Sequence, residues 1–117
     1  MTLTEEMLRR CYEFLCSTDP FVKWNLPDSE DVRFILRRTK TSRGMYAQHY
    51  VEGDRNTIEI SQGKHGHINT LLATMAHEMV HLHMWEAGMA GNAEHGKAFY
   101  RIANQVCKSH GYDPKAF

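Results

Sequence analysis

Apolar residues return along this chain at two different periods, and the switches between them divide it into elements. From Thr4 to Cys16, Leu8, Cys11, Tyr12 and Leu15 recur at three- and four-residue intervals, the spacing of one helix face. Thr4 suits the cap, because its hydroxyl can accept an orphan amide of the first turn. Asp19-Pro20 ends that helix, and Trp24 to Glu30, with Pro27, reads as a loop. From Val32 to Lys40 the period falls to two, with Val32, Phe34 and Leu36 alternating against Arg33, Ile35 and Arg37, which predicts a strand. Met45 to Val51 predicts a second strand, Glu52-Gly53-Asp54-Arg55-Asn56 a turn, and Thr57 to Ser61 a third strand with Ile58 and Ile60 on one side.

Helical spacing then resumes. Ile68 to Ala87 contains no Gly or Pro and carries Leu71, Leu72, Met75, Met79, Leu82 and Trp85, the pattern of a buried amphipathic helix. Asn69 or Thr70 is the expected start and Gly88 the expected stop. A small-residue loop from Met89 to Ala93 leads to a last helical face of Phe99, Ile102, Ala103, Val106 and Cys107. The order predicts an α+β fold: an N-terminal helix, an antiparallel sheet of about three strands, then two helices on one sheet face. A chain of 117 residues buries about two-thirds of its unfolded surface, so residues 1–117 are expected to form one domain.

Composition narrows the setting. The N-terminus, Met1 to Arg10, places acids where a signal peptide needs an apolar run, and no stretch reaches the roughly 18 apolar residues of a membrane span. Cys11, Cys16 and Cys107 are odd in number and fall in helical patterns, which suits reduced thiols and a cytoplasmic protein with no membrane partner. Arg33, Arg37, Arg38, Lys40 and Arg43 lie together without an intervening acid, the kind of run that can meet DNA. With 14 basic and 14 acidic residues overall, the chain lacks the positive excess of a nucleic-acid module, and a solvated strand face explains the run better.

The chemistry is concentrated in His77-Glu78-Met79-Val80-His81. Residues four apart stand one above the other on a helix, so His77 and His81 can point two nitrogens at one ion while Glu78 lies beside it. Zinc lowers the pKa of a bound water from about 15.7 to about 7, and a carboxylate in reach can take its proton as it attacks a carbonyl. A shuffled chain of this composition shows the pattern in roughly one case in twenty-five, so context has to support it. It does so in one respect: the pattern falls inside the longest helical stretch. Catalytic zinc takes three protein ligands and a water. His95 lies four residues before Phe99 on the apolar face of the last helix and therefore points inward, as a third ligand would. Glu94 competes, and with it the site would be of His₂Glu, gluzincin type; Glu86, five past His81, turns well off the ligand face.

The His77-Glu78-x-x-His81 helix, followed after a short loop by His95-Gly96 and the aromatic Phe99, resembles the SprT-like metalloproteases, relatives of Spartan. The resemblance implies a small zincin-like fold and a zinc-dependent peptidase acting on proteins or peptides. It further implies that His77, His81 and His95 bind zinc and that Glu78 is the general base. Three scattered cysteines with no Cys-x-x-Cys mean that the zinc ribbon carried by many members is not expected here. Two other readings compete with the enzyme: a non-catalytic metal-binding module, and a DNA-associated one.

The remaining polar residues have blander expectations. His65 and His67 read as loop residues, His83 faces away from His81, and His110 has no partner legible in the sequence. An oxyanion donor is sought among Tyr100, Arg101, His110 and Tyr112, with nothing to choose between them. An exposed strand edge, best placed in the Met45 to Ser61 hairpin, would let a peptide substrate bind as an added strand.

Overall fold

The computed structural model describes residues 2–39, 46–64, 67–89 and 94–117. The first helix, α1, spans Glu5–Cys16 and buries Leu8, Cys11, Tyr12 and Leu15. Thr4 caps it in an extended conformation, Oγ1 accepting the Met7 amide at 3.1 Å, a contribution of about 1 kcal/mol. A short 3-10 turn at Phe21–Lys23 and another at Ser29–Asp31 carry the chain to the sheet.

Strands β1 (Val32–Arg37), β2 (Ala47–Glu52) and β3 (Arg55–Ser61) form a sheet in the order β1-β3-β2. β2 and β3 pair antiparallel across a two-residue turn in which Gly53, at φ 67°, takes the left-handed conformation that a side chain disfavours. β1 pairs parallel to β3, with Phe34 opposite Ile58 and Leu36 opposite Ile60. The sheet is therefore mixed, not antiparallel throughout as the element order suggested. The hairpin forces β3 to run against β2, and β3 returns between β2 and β1 instead of beside β2 alone, which aligns it with β1. Of the basic run, Lys40 and Arg43 lie outside the described residues.

Helix α2 spans Ile68–Glu86 and α3 spans Lys97–His110. His67, and not Asn69 or Thr70, is the N-cap of α2, and it makes no side-chain capping bond. Gly88, at φ 75°, ends the helix as expected. α2 packs against α1, β2 and α3 together. It is accordingly buried well beyond one stripe, with Ala76, Val80 and Met84 joining Leu71, Met75, Met79 and Leu82 in the core. Trp85, expected in that core, is exposed, since the inward position on the last turn belongs to Met84, roughly 100° away around the helix. Every apolar residue expected of α3, namely Phe99, Ile102, Ala103, Val106 and Cys107, is buried.

The helices lie on the face of the sheet that carries Val32, Phe34, Ile58 and Ile60; the Tyr12 ring meets Phe34 edge-on at 5.4 Å. On the opposite face the polar residues of the central strand, Thr57, Glu59 and Ser61, are buried. There Glu59 is fully buried, accepts the Tyr50 hydroxyl at 2.5 Å and pairs with Arg37 at 3.3 Å. Among the described residues no helix is long and apolar enough to cross a membrane.

Candidate metal centre

One turn of α2 places His77 and His81 on the same side, their ring centroids 5.1 Å apart. His95 comes to them from the turn just ahead of α3, where Gly96 is the N-cap. The third imidazole is thus delivered by the approach to the helix and not by the helix itself. Its Nε2 is 3.2 Å from Nε2 of His77 and 3.2 Å from Nε2 of His81. Two nitrogens each 2.0–2.1 Å from a tetrahedral ion stand about 3.3 Å apart, so both of these spacings match those of ligands sharing one zinc-sized cation. Among the described residues these are the only three His, Cys, Asp or Glu side chains that converge so closely. Glu94 and Glu86 do not join them.

The protonation of the rings points the same way. His77 Nδ1 lies 2.9 Å from the main-chain oxygen of Phe117, which can only accept, so Nδ1 carries the proton and Nε2 presents a lone pair. Burial, and then the neighbouring charge of His95, holds the His77 ring neutral below the usual histidine range. Burial, followed by His77 and His95, pushes His81 down to about 3.

Phe99 supports all three rings. It lies nearly flat on His81, with centroids 4.6 Å apart and planes 23° from parallel, and packs at 4.9 Å against both His77 and His95. Its burial on the α3 face was legible in the spacing; its place beneath the imidazoles was not.

Glu78 is nearly enclosed, 5 % exposed, and its carboxyl is pushed up to about 8, first by burial and then by the charge of Glu94. Together with His77 it lines a cavity of about 260 Å³ walled by Tyr46 and Ala47 at the head of β2, Ala73 and Thr74 on α2, and Ala116 and Phe117. The head of β2, a buried carboxyl and one imidazole of the cluster therefore meet at one opening. Among the described residues β2 is an edge of the sheet.

Over residues 11–116 the sequence matches the SprT-like family. The chain belongs to the SprT-like family. Comparison with curated proteins finds no significant match. For this SprT-like chain the converging side chains are those that the resemblance pointed to, His77, His81 and His95, with Glu78 beside them.

Other singled-out residues lie elsewhere. His83 stacks on Trp24 at 4.1 Å, away from the cluster, as its position on the helix required. His110 meets Thr18 Oγ1 at 3.0 Å, and Tyr112 lies between the His110 and Phe117 rings. Tyr100 is exposed against the outer edge of Phe99. Of the four oxyanion candidates, none is among the described residues that line the cavity beside Glu78; besides Glu78 and His77 its polar side chains are Tyr46 and Thr74, which the sequence did not single out. His67 caps α2, while His65 lies outside the described residues. In the basic run, Arg33 pairs with Glu52 at 3.7 Å and Arg37 with Glu59 at 3.3 Å, so these two charges are partly compensated within the sheet.

Proposed function

We propose that this SprT-like chain is a zinc-dependent metallopeptidase that hydrolyses peptide bonds in protein substrates. The observation that carries the reading is the convergence of three Nε2 atoms beside a buried carboxyl that opens on the same cavity as an edge strand. His77, His81 and His95 would hold the ion, leaving a position open among the described residues because no fourth side chain closes it. Zinc at that place supplies Lewis-acid polarisation and an acidified water.

The protein's own groups supply the rest. Glu78, held out of solvent beside His77, is the proton acceptor during attack and returns the proton to the leaving amine. Its raised affinity for protons in the metal-free protein reflects burial; a dication nearby favours the ionised form that a base requires. An extended peptide added alongside β2, the outer strand of the described sheet, would lay successive carbonyls past the imidazoles. A structural metal module has no use for a carboxyl at an open position, which sets that alternative behind the enzyme. The test is cleavage of an unfolded protein by the zinc-loaded chain beside Glu78→Gln. Cleavage by the wild type alone supports the proposal, and equal cleavage by both, or by neither, sinks it.

A further inference from the structure

Residues 112–117 do more than finish the fold. Gly111, at φ 76°, reverses the chain after α3, and the Gly111 and Tyr112 amides both return to the Cys107 carbonyl, at 2.8 and 3.1 Å. Asp113 then folds the segment on itself. Its carbonyl accepts the Ala116 and Phe117 amides at 3.0 and 3.1 Å, and its Oδ1 accepts the Lys115 amide at 2.9 Å.

A column of rings fixes where this turn sits. The Thr18 hydroxyl donates its one proton to the Leu15 carbonyl at 2.7 Å, so it must accept from His110 Nε2 at 3.0 Å. The His110 ring, thereby anchored to the end of α1, stacks on Tyr112 at 5.5 Å and 11°. Tyr112 stacks on Phe117 at 5.7 Å and 14°, and Phe117 packs on His77 at 5.3 Å. At the end of the column the Phe117 main-chain oxygen meets His77 Nδ1 at 2.9 Å.

We infer that the 112–117 segment is a positioning element for His77: the Phe117 main-chain oxygen, seated by the Asp113 turn and the His110-Tyr112-Phe117 column, sets the His77 tautomer and aims Nε2 at the cluster. The inference rests on the metal-site reading above. A ligand histidine whose distal N–H is held by a carbonyl or carboxylate oxygen is both oriented and made more basic, and loss of such a partner typically costs 10–100-fold in metal affinity. His81 obtains its orientation differently, from the flat Phe99 ring, so the two α2 ligands are steered from separate parts of the chain.

The experiment compares the full chain with Phe117→Ala, Asp113→Ala and a variant lacking residues 113–117, with exposed and remote Phe14→Ala as control. Two quantities are read: zinc affinity by chelator competition, and the His77 ring tautomer in the metal-free protein by ¹H–¹⁵N correlation. The expected result is Nδ1 protonation of His77 in the full chain, a mixed tautomer in the shortened chain, and zinc binding weakened 10–100-fold there with a smaller loss in the point variants. Zinc affinity within twofold of wild type in a folded shortened chain overturns the inference, as does Nε2 protonation of His77 in the metal-free full chain. Should the shortened chain fail to fold, Phe117→Ala and Asp113→Ala decide: unchanged affinity and tautomer in both overturn it. A full chain that binds no zinc defeats the metallopeptidase reading, and the tautomer in the metal-free protein then decides the positioning of His77 by itself.

Discussion

Phe99 lies almost flat against His81, 4.6 Å between centroids, and so a residue of the hydrophobic core also sets the plane of an imidazole in the cluster. The two roles separate by substitution. Phe99→Ala opens a cavity in the core and should cost about 3–5 kcal/mol of stability. Phe99→Leu keeps most of the buried volume but removes the flat surface, and should leave the fold intact while weakening zinc about tenfold, the low end for groups that orient a ligand. Thermal melts with chelator competition distinguish the two, and Leu at full zinc affinity contradicts the role.

His95 and Glu94 are adjacent in sequence, yet only His95 reaches the other two imidazoles. His95→Ala should abolish stable zinc binding, and Glu94→Ala should retain one zinc per chain. Elemental analysis after exhaustive dialysis checks both; zinc lost with Glu94 and kept without His95 reverses the ligand assignment.

Glu78→Gln should lower peptidase activity by at least about 100-fold, the lower bound for a lost general base, with zinc stoichiometry unchanged. A second effect concerns the metal-free protein. The folded-state pKa, pushed up to about 8, exceeds the ordinary value of 4.5, so folding binds a proton that the unfolded chain releases, and this group subtracts stability as pH rises from 4.5 toward 8. Gln lacks that liability. Metal-free Glu78→Gln should therefore melt higher than the wild type at pH 8 and lose the advantage near pH 4.5, and a difference independent of pH refutes the account.

The imidazoles impose the opposite trend at lower pH. His49, lowered by burial against the opposing effect of its 2.7 Å bond to Asn56, and His83, buried against Trp24, are both shifted below 6.5, as are His77 and His81. The unfolded chain gains protons at these positions before the folded one does, so their contribution is full above pH 6.5 and is lost as pH falls through and below it. Metal-free Glu78→Gln, in which the opposing carboxyl is absent, should lose melting temperature from pH 7 to pH 5, and zinc should flatten the upper part of that curve by occupying His77 and His81. An unchanged melting temperature across the range contradicts the shifts.

Much of this was legible before any fold was known. Short-range periodicity located α1, the three strands, α2 and α3, because helix and strand expose one face every 3.6 or 2 residues and the core selects that face. The His77 and His81 pair and its neighbour Glu78 follow from a single helical turn. His95 was singled out on the assumption that it shared the apolar face of Phe99, but it lies on the exposed turn before α3, and the approach of that turn brings it to His77 and His81.

Other relationships join residues that share no local pattern. Nothing in the alternation of β1 distinguishes a parallel from an antiparallel neighbour, since each strand shows the same period whichever way its partner runs. Only the insertion of β3 between β1 and β2 settled the pairing. Trp85 and Met84 are both apolar, and which one faces the core depends on where α1, β2 and α3 close around α2. The wall of the cavity joins Tyr46, Thr74 and Phe117, and the partner of His77 lies 40 residues away at Phe117. The sequence by itself determined the elements and the metal-seeking chemistry of α2, because those depend on neighbours within a turn or two. Tertiary structure alone decided the strand pairing, the ring beneath His81 and the main-chain oxygen behind His77, because packing and hydrogen bonds across such separations exist only once the chain has closed.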